Sequence, residues 1–161
     1  MNPLHVEIIR LDPMRVASAY GFGDNPEEQA WQKLVAWAGP RGFLKNLTVN
    51  PVFGFNNPYP TQSHPRYGYE FWMKVSPEIE PAGDARIVEF MGGTYAVTRC
   101  DTEGHPEKTV PARWQLLAAW CRESHRTLGR QPALEKFLTM PDDLKHLVID
   151  LYCPLADQDQ S

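Results

Sequence analysis

Carboxylates placed among aromatic rings are the residues of this sequence best suited to chemistry. Glu70 stands in the run Tyr69-Glu70-Phe71-Trp72, and Glu135 stands among apolar residues nearer the C-terminus. A carboxylate held among rings is costly unless it is paired, and a flat organic cation would supply the missing charge while the rings stack on it. Because such a pocket needs few directional hydrogen bonds, it accepts varied lipophilic cations. The alternative interpretation is that Glu135 is only a solvated acid, as most glutamates are.

Motifs of the common enzyme classes are absent from the sequence. There is no nucleophile elbow, no P-loop and no dinucleotide-binding glycine pattern. Ser124 and His125 are adjacent but have no evident third partner for a catalytic triad. The histidines are scattered, and Cys100, Cys121 and Cys153 lie far apart without a CxxC spacing. We therefore expect no metal, no other cofactor and no disulfide framework, and we expect a reducing, cytoplasmic location.

Composition and charge narrow the class of protein further. The chain has 161 residues, of which 16 are Lys or Arg and 20 are Asp or Glu, so its formal net charge is 16 − 20 = −4. A length of this order suits one domain or two fused halves. The negative charge argues against direct nucleic-acid binding, which needs clustered basic residues. No apolar run approaches the roughly 18 residues of a membrane helix, and the start of the chain lacks the basic segment of a signal peptide.

Two long helices are predicted from start signals and apolar spacing. The first begins at Asn25-Pro26, with Asn25 as the capping residue, and ends near Gly39. The second covers roughly 111–126, and a shorter helix is predicted over 131–138 after Gly129.

Strands are predicted around these helices from alternating and β-branched residues. Gly92-Gly93 predicts a hairpin between two of them, because glycine adopts a positive φ at little cost. The predicted strands are Leu4–Leu11, Arg15–Phe22, Thr48–Phe55, Tyr67–Val75, Ala85–Phe90, Thr94–Cys100 and Leu147–Leu155.

An internal repeat relates the two long helices. The heptapeptide from Trp31 to Trp37 (WQKLVAW) nearly matches the one from Trp114 to Trp120 (WQLLAAW). The shared spacing places Trp, Leu and Trp on one helix face, and burial of that face on a sheet is the simplest explanation. We predict an α+β fold of two similar halves related by a pseudo-twofold axis, with repeats over about 1–80 and 81–156 and a flexible tail at 157–161. A cleft between such halves is a preferred place for a ligand.

Several stretches in this order resemble the GyrI-like small-molecule-binding family, which also forms the effector-binding domain of AraC- and MerR-type bacterial regulators. The resemblance covers nearly the whole chain. The stretches are Arg15-Val-Ala17, the two Trp-x-x-Leu-x-x-Trp heptads, Arg66-Tyr67, Gly92-Gly93-x-Tyr95-Ala-Val97, Leu134-Glu135 and Asp150-Leu-Tyr152-x-Pro-Leu155. The resemblance implies a tandem of two βαββ-type units with antiparallel sheet and a central ligand groove.

The resemblance also implies roles for individual residues. Glu135 matches the acid that counters the ligand's charge in drug-sensing members, and Trp31 matches an aromatic residue that stacks on the ligand. Trp114 is the counterpart of Trp31 in the second half. Gly68 stands where many members have an acid, and Glu70 is the candidate replacement. The complete predicted ligand-binding set is Glu135, Trp31, Trp114, Trp72, Tyr69, Glu70, Phe55 and Tyr95.

The leading functional hypothesis is a binding protein for lipophilic, cationic or aromatic small molecules, acting in sensing or sequestration. Because the resemblance starts at the first residues, we expect a stand-alone form without its own DNA-binding domain, with a partner regulator or a second copy as possible partners. One alternative is a hydrolase of electrophilic compounds that uses Glu135 with Glu70 or Tyr69. A further alternative is a protein-binding role like that of gyrase-inhibiting relatives.

Overall fold

Two long helices and eight strands make up the regular structure in the computed structural model, which describes residues 4–83 and 85–157. The six strand pairings within the two compact units are all antiparallel, and the predicted α+β class is confirmed. The elements are β1 (Glu7–Leu11), β2 (Met14–Phe22), α1 (Pro26–Ala38), β3 (Val52–Asn56), β4 (Gly68–Lys74), β5 (Arg86–Phe90), β6 (Gly93–Asp101), α2 (Pro106–Glu123), β7 (Leu134–Phe137) and β8 (Val148–Leu155).

One compact unit consists of Met14–Phe90, and its strands follow the order β3-β4-β2-β5. Helix α1 packs on one face of this sheet. Gly21 of β2 makes the close approach possible, because a Cβ there would collide with the Pro26 carbonyl oxygen and with Gln29. The core of this unit therefore lies between α1 and the face of the sheet that Gly21 shares with Phe71.

The other unit contains β1 and all the elements from β6 onward, in the order β1-β6-β8-β7. Helix α2 packs on the face that carries Leu151 and Cys153, and the sulfur of Cys121 lies 3.8 Å from that of Cys153. Each unit contains a strand, a helix and two further strands that follow one another along the chain (βαββ). One edge strand is added to each sheet, β5 in the unit of α1 and β1 in the unit of α2. The predicted repeats divide the chain near residue 80 and so place β1 in the first repeat. In the structure β1 pairs with β6, which follows that division. The pseudo-twofold axis and the cleft stay predictions.

The start of α1 differs from the prediction in one detail. The helix begins at Pro26 and ends at Ala38 as expected. Asn25, however, adopts left-handed backbone angles (φ 46°, ψ 59°), and its side chain makes no capping hydrogen bond. Its carbonyl oxygen instead accepts the amide of Gln29 at 3.1 Å. Trp31, Leu34 and Trp37 are buried, so the helix face predicted from their spacing is the packed face.

Helix α2 begins five residues before the predicted start and has Pro111 in its interior. The amides of Lys108 and Thr109 both bond to the carbonyl oxygen of His105, so the first turn closes before Pro111 is reached. The helix ends at Glu123, and His125 just beyond it has a positive φ of 57°. A residue in the left-handed region ends a helix, which explains why α2 stops short of the predicted Arg126.

Two predicted elements are wrong. The segment 131–138 contains strand β7, not a helix, because Leu134 and Phe137 are buried in pairing with Tyr152 and Ile149 of β8. The predicted hairpin between β5 and β6 does not form, since β5 pairs with β2 while β6 pairs with β1 and β8. In both cases strands that are distant in sequence supply the hydrogen-bond partners, and this long-range pairing outweighs the local conformational propensity.

The predicted positive φ at the two glycines is nevertheless present, at 77° for Gly92 and 153° for Gly93. Two strand starts were placed too early, since β1 begins at Glu7 and β3 at Val52. At the C-terminus Asp157 accepts hydrogen bonds from Arg10 and Thr94, and residues 158–161 of the predicted tail lie outside the described residues.

Candidate functional site

Glu135 and Trp114 lie together in the unit that contains α2. Glu135 is the second residue of β7 and pairs with Leu151, so its side chain shares the sheet face on which α2 packs. Trp114 is in the middle of α2, and its indole Nε1 donates a hydrogen bond to Glu135 Oε2 at 3.3 Å. Both side chains are half-buried, whereas Leu134 beside Glu135 is fully buried. A carboxylate and an aromatic ring are therefore in contact at a position that is partly accessible to solvent.

A buried thiol lies near this pair. Cys100 of β6 has a raised pKa, chiefly because of burial, and the charge of Glu135 adds to the increase. Arg113 and Thr109 act in the opposite direction but do not cancel it. The Cys100 thiol is therefore protonated at neutral pH and is not suited to act as a nucleophile.

Trp31 and Tyr69 belong to the packed core under α1. The Trp31 ring centroid lies 5.4 Å from that of Phe71, and the Tyr69 ring lies 5.0 Å from the same Phe71 ring. Gly54 lets Tyr69 lie flat on the neighbouring strand, because a Cβ there would collide with the Tyr69 ring. Trp31 keeps 7% of its surface exposed and Tyr69 keeps 3%. Trp31 and Tyr69 therefore lie on the α1 side of their sheet with little exposed surface.

Glu70 and Trp72 lie on the opposite face of the same sheet, as the alternation of a strand requires. The Glu70 carboxylate is buried, and its Oε2 accepts hydrogen bonds at 2.6 Å from both Ser18 Oγ and Trp72 Nε1. Its Oε1 accepts a third from Asn57 Nδ2 at 3.3 Å, and the Arg86 guanidinium approaches to 3.6 Å. This carboxylate thus already has three hydrogen-bond donors and a nearby guanidinium within its own unit.

Phe55 and Tyr95 are the remaining predicted ligand-binding residues. Phe55 packs edge-on against Trp72, with ring centroids 4.7 Å apart. Tyr95 of β6 is fully buried, and its hydroxyl donates to the Pro132 carbonyl oxygen at 2.7 Å. Burial raises the pKa of Tyr95 strongly and raises that of the neighbouring Tyr152 to about 12. Tyr95 thereby anchors the segment that leads into β7.

The eight predicted residues therefore fall into separate groups. Glu135 and Trp114 are in direct contact, and Tyr95 is fully buried in the same unit. In the other unit, Trp31 and Tyr69 share the α1 side, and Glu70, Trp72 and Phe55 share the opposite face. The prediction that they line one ligand pocket stays a prediction.

Sequence reasoning missed two features. The Glu70 partners Ser18, Asn57 and Arg86 come from other segments, and no spacing in the sequence signals them. A groove of about 1070 Å³ in the unit of α2 is lined by charged side chains of both signs, among them Arg99 and Asp150, whose Nε and Oδ1 atoms are 3.0 Å apart. None of the predicted site residues lines this groove.

Residues 4–83 and 85–157 contain neither a candidate metal site nor a membrane-spanning helix. No group of three or more His, Cys, Asp or Glu side chains is placed there to hold a metal ion. Within the same residues, neither helix is both long and apolar enough to cross a bilayer.

Solved structures share this fold across almost the whole chain. The C-terminal domain of EcmrR has a TM-score of 0.70 at 13% identity, covering 96% of this chain and 98% of that one, and the chain spans 58% of EcmrR in its DNA complex. A hydrolase from Listeria innocua has a TM-score of 0.64 at 12% identity, covering 94% and 91%. SAV2435 bound to tetraphenylphosphonium has a TM-score of 0.53 at 11% identity, covering 94% of each chain. At these identities the similarity shows the fold alone.

Sequence comparison gives a more specific result than the structural similarity. No curated protein sequence matches this chain significantly. A family model described as the GyrI-like small molecule binding domain, however, matches residues 4–156. That match spans all the elements from β1 to β8, including Glu135 and Trp114. The chain therefore belongs to the GyrI-like small-molecule-binding family.

Proposed function

We propose that this protein binds lipophilic organic cations, or aromatic compounds of similar shape, and acts by sensing or sequestering them. The observation that carries the proposal is the contact between Glu135 and Trp114 on the α2 side of the sheet. Membership of a small-molecule-binding family supports it, as does the tetraphenylphosphonium bound to the structurally similar SAV2435.

The geometry of the contact favours a cationic ligand. An indole N–H lies in the plane of its ring, so the Glu135 oxygen that accepts it is near the ring plane of Trp114 and does not cover the ring face. A cation stacked on that face gains about 0.5–2 kcal/mol from the ring. A carboxylate in the ring plane is about 6 Å from such a cation and adds up to roughly 3 kcal/mol at an effective dielectric constant near 20. The partial exposure of Glu135 reduces this figure through solvent screening, but the sign is unchanged.

The test is a titration of the full chain with tetraphenylphosphonium, followed by tryptophan fluorescence and by calorimetry. We expect saturable quenching in the native protein and a dissociation constant at least about tenfold higher in Glu135→Gln. The matched control is Glu28→Gln, because Glu28 is an exposed acid on α1. Neutral triphenylphosphine oxide separates charge from shape, since its affinity is expected to be equal in all three proteins.

Two results would contradict the proposal. Equal weakening of tetraphenylphosphonium binding by Glu135→Gln and Glu28→Gln would show that the net charge of the protein, and not Glu135 in particular, attracts the cation. Equal weakening of the cation and of its neutral analogue by Glu135→Gln would show that this substitution damages the site without removing a counter-charge.

A hydrolase is the second candidate, favoured by the shared fold with the hydrolase from Listeria innocua. Of the two carboxylates considered, Glu70 is buried whereas Glu135 is only half-buried, so Glu135 is the more accessible to a substrate and the better candidate for a general base. Incubation with an aryl epoxide or an activated ester distinguishes the two functions. Product formed by the native protein and by Glu28→Gln, but not by Glu135→Gln, would identify an enzyme, and ligand recovered unchanged would identify a binding protein.

A further inference from the structure

Strand β6 continues beyond its neighbour β1 and leaves a short edge uncovered. The pairing with β1 ends where Glu7 lies opposite Val97, whereas β6 continues to Asp101. In residues 4–83 and 85–157 no other strand pairs with β6 on that side. An uncovered edge offers backbone N–H and C=O groups to an extended chain that lies beside it.

The direction of these backbone groups follows from the hydrogen bonds around them. The Thr102 amide donates to the Leu147 carbonyl oxygen at 3.1 Å, so the even-numbered residues of this stretch point towards β8. The Arg99 carbonyl oxygen accepts a hydrogen bond from Arg113 Nε of α2 at 3.2 Å, so the odd-numbered residues point the other way. Because backbone groups alternate along a strand, Arg99 and Asp101 both direct their amides to the uncovered edge.

The groove of about 1070 Å³ follows this edge. Its lining includes residues 97–101 of β6 and six residues of α2 between Lys108 and Leu116. This volume is above the roughly 300–1,000 Å³ of a pocket for a drug-sized ligand. Four residues of a strand span about 13 Å. The groove is therefore large enough for several residues of an extended peptide.

The α2 side of the groove is positively charged. Lys108 and Arg113 are the charged residues that the helix contributes to the lining, beside the uncharged Thr109 and Ala112. Lys108 is exposed, and the hydrogen bond from Arg113 to β6 places its guanidinium at the edge itself. A carboxylate is the side-chain group that best matches this side.

The opposite face of the sheet is negatively charged. Arg99 and Asp150 are paired across β6 and β8, and the alternation along the paired strands places Glu7 and Asp101 on the same face. The Arg99 Nε and Asp150 Oδ1 atoms are 3.0 Å apart, so these two charges offset each other. The charges of Glu7 and Asp101 remain, and a basic side chain is the group that best matches this face.

We infer that the edge of β6 at 99–101 binds an extended peptide in which acidic and basic residues alternate. The peptide backbone adds to the sheet as a short strand. Its acidic side chains face the two cations of α2, and its basic side chains face the acids on the opposite side of the sheet. A strand directs successive side chains to opposite faces, so alternating charge is the pattern that matches both sides at once.

The residues that precede β1 are the competing occupant of this edge. The His5 carbonyl oxygen accepts the Thr98 hydroxyl at 2.8 Å, on the side of the sheet where α2 packs. The residue at position 3 is a proline, which has no amide N–H to donate to a neighbouring strand. A peptide from outside the chain is therefore the better match.

The first test titrates the full-length protein into the amidated peptide EKEKEK, labelled with fluorescein at its N-terminus, and follows fluorescence anisotropy. We expect saturable binding, and a dissociation constant at least about tenfold higher for EEEKKK, which has the same composition without the alternation. Lys108→Glu and Glu7→Lys are each expected to weaken the binding of EKEKEK about tenfold. The matched controls are Arg122→Glu and Glu123→Lys, because both residues are exposed on α2 and neither lines the groove.

Amide hydrogen exchange then shows whether the peptide adds as a strand. In ¹⁵N-labelled full-length protein, we expect the Arg99 and Asp101 amides to exchange at least about tenfold more slowly at saturating EKEKEK, because each gains an acceptor. The amide of Cys100 is the internal control, since it is directed towards β8 and is expected to change less.

Three results would overturn the inference. One is a lack of saturable binding, or equal binding of EKEKEK and EEEKKK. The second is binding without slower exchange at Arg99 and Asp101, which would indicate attraction to surface charge only. The third is an Arg99 amide that is protected in the free protein and exchanges once residues 1–3 are deleted, because the chain itself would then cover the edge.

The peptide site and the proposed cation site can fail separately. The peptide site lies in the unit of α2 but does not use Glu135. An absence of tetraphenylphosphonium binding would therefore leave this inference intact, and an absence of peptide binding would leave the proposed function intact.

Discussion

Replacing Glu70 by alanine is expected to destabilise the protein severely, although glutamate is a residue type that β-strands generally disfavour. Its carboxylate accepts two hydrogen bonds of 2.6 Å and one of 3.3 Å. Two of the donors, on Ser18 and Trp72, are themselves buried, so bulk water does not readily replace the lost acceptor. The Arg86 ion pair contributes little, because the Arg86 side chain is 68% exposed.

The magnitude follows from these partners. Each buried donor left without an acceptor costs about 1–3 kcal/mol, and the Ser18 hydroxyl recovers part of this by rotating. We therefore expect Glu70→Ala to lower the free energy of unfolding by about 3–5 kcal/mol, which agrees with removal of one partner from other buried charge networks. Arg86→Ala is expected to cost less than about 1 kcal/mol.

Urea unfolding measures the effect. With a slope of about 2 kcal/mol per molar urea, a loss of 3–5 kcal/mol lowers the midpoint by roughly 2 M. Glu28→Ala serves as the matched control, because an exposed glutamate on a helix is expected to cost less than about 0.5 kcal/mol. A Glu70→Ala protein that unfolds within about 1 kcal/mol of the native chain would refute the claim that this carboxylate is the acceptor for buried donors.

Two further predictions concern titratable groups. Burial, and then the hydrogen bonds of 2.8 and 2.9 Å to Glu27, raise the pKa of Tyr67 from 10.0 to about 12. The unfolded chain releases this proton first, so the associated stability is complete below pH 10 and is lost as the pH rises towards 12. Tyr67→Phe should make unfolding less dependent on pH in that range, and an unchanged dependence would contradict the assignment. Burial, and then the neighbouring Cys121, raise the pKa of Cys153 to about 12. Iodoacetamide should therefore label Cys153 slowly in the native protein and readily in urea, as mass spectrometry of the Cys153 peptide would show, whereas rapid native labelling would contradict this burial.

Local sequence signals were sufficient for the elements that depend on near neighbours. Helix α1 was predicted with its start and end because Pro26, the acids after it and the Trp31-Leu34-Trp37 spacing all act within a few turns. The alternation of Tyr69-Glu70-Phe71-Trp72 also predicted that the carboxylate and the Trp72 indole share a face, and their hydrogen bond agrees with this.

Elements defined by distant partners were not predictable in the same way. The four residues of β7 are compatible with a helical turn, and pairing with β8 determines that they form a strand. Likewise, Gly92-Gly93 signals a turn between β5 and β6 but not which strands pair on either side of it. Short segments carry little intrinsic preference, so long-range hydrogen bonding and burial determine their structure.

The family, the α+β class and the acidic–aromatic run around Glu70 were all predicted from the sequence alone, because each depends on residue types and short spacings along the chain. Only the tertiary structure decided which side chains surround the two candidate acids, Glu70 and Glu135. Glu70 is surrounded by Ser18, 52 residues away, and Asn57, 13 residues away, whose hydrogen bonds satisfy its carboxylate internally. Glu135 lies beside Trp114 on a half-buried surface. Hydrogen bonds act over about 3 Å of space, and separation along the chain does not reveal which groups will come within that distance.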